Sequence, residues 1–197
     1  TFLQRAFDQL IHDVAIQSLD VLFGVDRASL LEDGPTHSGI FDYSFVRAIP
    51  NMVIMSPSNS VVMEQMLDFG FAYKGPCVVR YPRGTATSGK QEPPVALGKA
   101  LICREGKRAA ILAFGTTRNI SESVANKLDL TLIDMRFVKP LDTGLIKHLA
   151  ASHELLVTIE ENAIAGGAGS AVNEYVVSQG LNCQLLNLGV PDVFIDQ

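Results

Sequence analysis

Between Asp26 and Gly39 the chain gathers Arg27, Asp33 and His37 among Gly34, Pro35 and Gly39. A histidine near a carboxylate is a candidate proton shuttle, because an imidazole titrates close to neutral pH. Glycine and proline can fix the irregular backbone that such a loop needs. A turn carrying a solvated histidine is the competing reading, and spacing alone leaves both open. A second set, Arg80-Tyr81-Pro82-Arg83-Gly84, closes an apolar run. Arg83, between Pro82 and Gly84, sits in a rigid, accessible setting. Together Arg27 and Arg83 could clamp a phosphate, since the guanidinium fork matches phosphate oxygens; the alternative is a pair of surface or ion-paired arginines.

Other candidates carry less. Ala165-Gly166-Gly167-Ala168-Gly169-Ser170 precedes a helix and invites a phosphate-loop reading, but it matches neither the dinucleotide fingerprint nor the P-loop pattern. A tight strand-to-helix turn is preferred, with Glu160-Glu161-Asn162 before it as interface residues or a capping cluster. His12, His148 and His153 fall in helical or helix-end patterns. The three cysteines and four histidines show no metal-ligand spacing, and no G-x-S-x-G elbow is present.

These groups need a scaffold. Leu3, Phe7, Leu10, Ile11, Val14 and Ala15 recur at three- and four-residue steps and predict a helix over 2–17. Strands are expected at 21–25, 52–55 and 77–81. A loop is expected from Asp26 to about Asp42, and a helix over 59–73 with Ser58 as its N-cap. Residues 84–97 turn polar and carry Gly and Pro, as a linker would. Beyond it, strands at 100–103 and 109–114 flank a turn at 105–107. Helices over 120–128, 143–151 and 170–178 then alternate with strands at 130–134, 155–159 and 184–188. Short apolar strands alternating with helices predict parallel sheets covered on both faces. The expectation is two consecutive three-layer α/β domains with mostly parallel sheets: residues 1–84, a linker at 85–97, and residues 98–197.

Composition sets further limits. The 197 residues are 47% hydrophobic and 19% charged, with a formal net charge of -5. A sizeable core is available, and nucleic acid is not the expected partner. Cys77, Cys103 and Cys183 are odd in number, lack C-x-x-C spacing and sit in apolar contexts, which predicts buried free thiols in a reducing compartment. No basic leader is visible and no apolar run reaches 18 residues, so no membrane span and a cytoplasmic location are expected. Thr1 opens straight into a helical pattern and Val193–Gln197 stop without a polar tail, so the chain reads as a fragment.

Larger blocks then carry a resemblance. Thr1–Gln9, Asp26-Arg27-Ala28, Asp33–Asp42, Val79–Gly84, Asp134–Asp142, Glu160-Glu161-Asn162 and Gly166–Ser170 resemble the 1-deoxy-D-xylulose-5-phosphate synthase family of transketolase-like thiamine-diphosphate enzymes. The D-G-P-T-H run is shared with transketolases, whereas Y-P-R-G and M-R-F-V-K-P-L-D are far more specific. The resemblance implies part of a pyrimidine-binding domain followed by most of a C-terminal domain. It implies condensation of pyruvate with D-glyceraldehyde 3-phosphate, with loss of carbon dioxide, at the entry to isoprenoid precursors. Thiamine diphosphate and Mg2+ are the implied cofactors, and a homodimer the implied assembly.

Position by position, the resemblance makes Arg27 and Arg83 the phosphate holders and Arg5 another active-site arginine. His37 and Asp33 become polar residues beside the reacting carbons, although the loop before Asp33 looks one residue short. Phe2 matches an aromatic near the aminopyrimidine. The family's activating glutamate and metal motif lie upstream of positions matching Thr1, so this stretch alone is expected to be inactive. A noncatalytic phospholigand- or partner-binding module, or another transketolase-like enzyme, is the alternative.

Overall fold

The computed structural model describes residues 3–30, 32–85, 87–89 and 91–196. Among the described residues nine strands form two sheets, in the orders β1-β3-β2-β7 and β4-β6-β5-β8-β9. In the first, β1 (Leu22–Ala28) and β2 (Val53–Met55) flank β3 (Cys77–Pro82) in parallel, and β7 (Phe137–Lys139) adds antiparallel to β2. In the second, β5 (Ala109–Ala113) lies between β6 (Thr131–Asp134) and β8 (Leu155–Ala163), and β8 pairs with β9 (Gln184–Val190), all in parallel. The edge strand β4 (Leu101–Arg104) is antiparallel to β6. Mostly parallel sheets are therefore present, each with one antiparallel edge.

Alternation along the strands explains the layers. Successive side chains of a strand point to opposite faces. Val53, Met55, Cys77 and Val79 pack against Val62 and Met66 of α3 (Ser60–Ala72), while Ile54 and Val78 face Leu10, Tyr43 and Val46. In the second sheet, Ile111, Ala113 and Leu132 meet Ala125 of α4 (Thr117–Leu128). On the other face Ala110, Leu112 and Leu156 pack with α5 (Thr143–Ser152) and α6 (Ala168–Ser178). Each sheet is thus covered on both faces. The largest apolar cluster joins Ile54 and Val78 to Leu112, Val138 and Val172, so one core runs through both halves.

Several local features depart from the sequence reading. The first helix is a 3-10 turn (Leu3–Ala6), one α-helical turn α1 (Phe7–Gln9) and a π-helical run (Leu10–Ala15). The α3 N-cap is Asn59, whose side chain accepts from Val62 N at 3.0 Å, whereas Ser58 Oγ donates to Asp134 at 2.6 Å. The expected loop from Asp26 starts later, because β1 runs to Ala28, and ends where expected, with α2 (Asp42–Arg47) beginning at Asp42. The strands flanking residues 105–107 do not pair with each other; β6 and β8 are the neighbours of β5. The three cysteines are free, Cys77 buried and the other two half-buried. Among the described residues no helix is long and apolar enough to cross a membrane.

Candidate functional site

Arg27 and Arg83 reach the same end of two adjacent parallel strands. In the β1–β3 ladder Val25 pairs with Arg80 and Ala28 with Pro82. Arg27 therefore stands just before one paired position and Arg83 just after its partner. The register shifts between Val25 and Ala28, and Arg27 and Ser29 take φ of 60° and 94°. Left-handed backbone at non-glycine residues is uncommon and collects at functional sites. It turns the chain sharply out of the sheet at the carboxyl ends of its strands, where open α/β sheets place ligands. Arg27 is half-buried, and its Nε is enclosed without an acceptor.

The loop after β1 returns to the sheet at Gly39, whose N–H donates to Arg27 O at 2.9 Å. A Cβ at Gly39 would overlap that carbonyl, so the close approach requires glycine. Asp33 lies on the loop and accepts from Arg83 Nη1 at 3.1 Å; Glu32 is 3.8 Å from the same nitrogen. His37 Nδ1 lies 2.9 Å from Thr36 Oγ1. Arg83 and Asp33 are thus brought together, and Arg27 and His37 belong to the same loop system. Arg5 is exposed on the 3-10 turn, which rests against α2. Phe2 lies outside the described residues.

Beneath the loop is a buried polar layer around Arg80, Asp42 and Tyr43, to which the sequence reading gave no such role; Asn162, one of the expected interface residues, joins it. Arg80 is 2% exposed. Its Nε donates to Asp42 at 3.3 Å, and Nη2 donates to both Gly39 O and, at 2.8 Å, Glu161 O. Its guanidinium lies 4.2 Å from the centre of the Tyr43 ring, a cation–π contact. Tyr43 Oη is hydrogen-bonded to Ser56 Oγ, and burial raises the phenol's pKa. From the second half, Asn162 Oδ1 accepts from Tyr43 N at 3.1 Å, its Nδ2 donates to Ser44 Oγ at 3.0 Å, and Ala163 N donates to Ile40 O at 2.7 Å. Arg80 within the apolar run Cys77–Tyr81 and Asn162 just past the apolar run Leu155–Ile159 were the available signal, since buried polar groups require partners.

The glycine-rich turn is not an open anion site. Both Glu160 oxygens accept from the first turn of α6, Ala168 N and Gly169 N, each at 2.7 Å. A Cβ at Gly167 would overlap that carboxylate. The chain's own carboxylate holds the position a phosphate would take at a helix N-terminus. Burial pushes the Glu160 carboxyl up to about 7 despite these two bonds. A further network holds the segment around Glu92: Glu92 accepts from Arg118 at 2.5 Å and Arg136 at 3.0 Å, beside Asp134. Burial raises Asp134 to about 6.

The sequence and the overall fold match known proteins. The family profile for the transketolase pyrimidine-binding domain covers residues 1–88, and that for the transketolase C-terminal domain covers residues 98–197. The chain belongs to the transketolase family. It is similar to 1-deoxy-D-xylulose-5-phosphate synthases, at 56% identity to that of Psychromonas ingrahamii and 54% to that of Pseudomonas aeruginosa. Both matches cover 100% of this chain and 32% of the relative, so the chain spans about a third of the length of these relatives. Among solved structures, a split-gene transketolase described as an inactive β4 tetramer superposes with a TM-score of 0.89 at 27% identity, over 98% of this chain and 65% of that one. The transketolase of Campylobacter jejuni gives 0.66 at 19% identity, over 89% and 27%, and supports the fold alone.

Proposed function

We propose that this chain is the aldehyde-binding part of a 1-deoxy-D-xylulose-5-phosphate synthase, which condenses pyruvate with D-glyceraldehyde 3-phosphate and releases carbon dioxide. The observation that carries this reading is the placement of Arg27 and Arg83 at the same end of the adjacent strands β1 and β3, in a chain 54–56% identical to such synthases. Guanidinium groups suit a phosphate dianion, which bidentate donors bind as well as orient. Arg83 has five donors, and its bond to Asp33 uses Nη1. Arg27 contributes a guanidinium whose Nε lacks an acceptor.

Thiamine diphosphate supplies the electron sink that lets pyruvate lose carbon dioxide. The chemistry assigned to this chain is holding and protonating the aldehyde. With the phosphate fixed on the arginines, the aldehyde carbon is directed toward the loop bearing His37. His37 gives a proton to the aldehyde oxygen as the carbon–carbon bond forms, and Asp33 accepts from a substrate hydroxyl. Arg5 adds positive charge near the substrates, and Phe2 is assigned to the aminopyrimidine. Among the described residues no cluster of three His, Cys, Asp or Glu side chains suits a metal ion, so Mg2+ is given no ligand from them. The protein is taken to act as a homodimer in the cytoplasm.

The test is carboligation by the full-length protein with pyruvate, glyceraldehyde phosphate, thiamine diphosphate and magnesium. Product formation is expected, with Arg27→Ala and Arg83→Ala each raising the KM for the aldehyde roughly tenfold to a hundredfold, the range of a lost charge-assisted bond. No product from an intact, folded protein would overturn the enzyme reading and leave a phospholigand-binding module.

A further inference from the structure

The substrate loop is fixed by the other half of the chain, through a residue buried beneath it. Arg80 lies on β3, three positions before Arg83 and paired with Val25, two positions before Arg27. It joins three separate stretches: Gly39 O at the return of the loop, Asp42 at the start of α2, and Glu161 O on β8. Gly39 in turn holds Arg27 O. A continuous path therefore runs from β8 through Arg80 and Gly39 to Arg27. Asn162 and Ala163 brace it from the same strand, by way of Tyr43 and Ile40. None of these groups reaches solvent enough to bind substrate: Arg80 is 2% exposed, Asp42 3% and Asn162 0%.

We propose that Arg80 is a positioning residue for phosphate recognition, and that the segment Glu161–Ala163 of the second half is its anchor. The inference rests on the phosphate-holding role of Arg27 and Arg83 and gives the second half a task in substrate selection. Planar geometry matters. One guanidinium serves the Asp42 carboxylate through Nε and two carbonyls from separate stretches through Nη2, while its face covers Tyr43. An ammonium on a lysine stem keeps the charge beside Asp42 but cannot reproduce that fork and stacking. The loop would then lose its fixed return, and Arg27 its defined direction. A small misplacement of a substrate-holding group costs far more in rate than in stability.

The experiment compares D-glyceraldehyde 3-phosphate with D-glyceraldehyde, the same aldehyde without phosphate, in the full-length protein carrying Arg80→Lys. The expected result is a drop of about tenfold or more in the ratio of kcat/KM for the two aldehydes, carried by the KM for the phosphorylated one. The KM for pyruvate should stay within about twofold. Equal losses for both aldehydes, leaving the ratio unchanged, would mean that Arg80 supports folding only and would overturn the proposal. Asn162→Ser, which withdraws the acceptor of Tyr43 N, is the second variant. It keeps the charges in place and should lower the same ratio in the same direction; if Arg80→Lys does not fold, an unchanged ratio in Asn162→Ser decides against the proposal. Failure of the underlying function is distinguishable, because the unsubstituted protein would then form no product from either aldehyde.

Discussion

Arg83 donates from Nη1 to the Asp33 carboxylate across 3.1 Å, so the end of β3 and the loop after β1 are tied by an ion pair between two residues of the proposed site. The side chains are 52% and 42% exposed. Exposed pairs contribute about 0–1 kcal/mol, so the pair adds little to stability. Asp33→Asn should leave the thermal midpoint within roughly two degrees of the parent's while lowering kcat with pyruvate and glyceraldehyde phosphate about tenfold or more. Parallel losses of midpoint and turnover would assign Asp33 to the scaffold instead.

Glu92 gives the opposite case. It is nearly enclosed and receives bonds from both Arg118 and Arg136. The two arginines hold its carboxyl below the usual range against the opposing effect of burial. Glu92→Ala would leave Arg136, 3% exposed, short of its counter-charge. Removing one partner of a buried pair costs about 3–5 kcal/mol. Denaturant unfolding should show a loss of that order, and a change below about 1 kcal/mol would show that Glu92 does not clamp its segment.

At Gly167 space rather than backbone conformation excludes a side chain. A Cβ would overlap the Glu160 carboxylate and the Ala163 carbonyl. Gly167→Ala should destabilise by about 1–3 kcal/mol, the usual cost of overpacking. Gly180→Ala is the contrasting control: its φ of 61° strains a side chain while nothing lies within 4 Å, so its smaller loss would measure backbone cost alone.

Acidity enters through Glu160 and Asp134, whose carboxyls are pushed up to about 7 and about 6 by burial. Each binds its proton more tightly folded than unfolded. The stability this adds is complete below the unfolded values near 4 and is lost as pH rises through the folded ones. Between about pH 4.5 and 7, Glu160 alone should lower stability by up to about 1.4 kcal/mol per pH unit. Glu160→Gln should flatten this part of the profile in unfolding experiments at several pH values. An unaltered slope would place the Glu160 titration elsewhere.

Much of the scaffold was legible because burial writes itself into strands. The runs Met52–Met55 and Ala109–Phe114 are apolar on both faces, and parallel strands covered on both sides require that. Arg27, Asp33, His37 and Arg83 stood out as polar groups at strand ends. Illegible features depended on partners distant in sequence. Phe137-Val138-Lys139 is too short to announce a strand and becomes one only by pairing with Ile54 and Met55. Ser58 and Asn59 are both good caps, and the choice between them is made by Asp134, which takes the Ser58 hydroxyl. Arg80 read as a companion of Arg83, yet Asp42, Gly39 and Glu161 draw it inward.

The antiparallel strand β7 carries one more consequence, for synthesis. Residues emerge from the ribosome in order, and β2 needs Phe137 and Lys139 to cover its outer edge. Until the chain has been extended past Pro140, the first sheet is born with an open flank, a template for pairing with a neighbouring nascent chain. Translation speed across residues 56–136 therefore sets how long that flank stays open, and synonymous codons there should alter soluble yield without changing a single side chain.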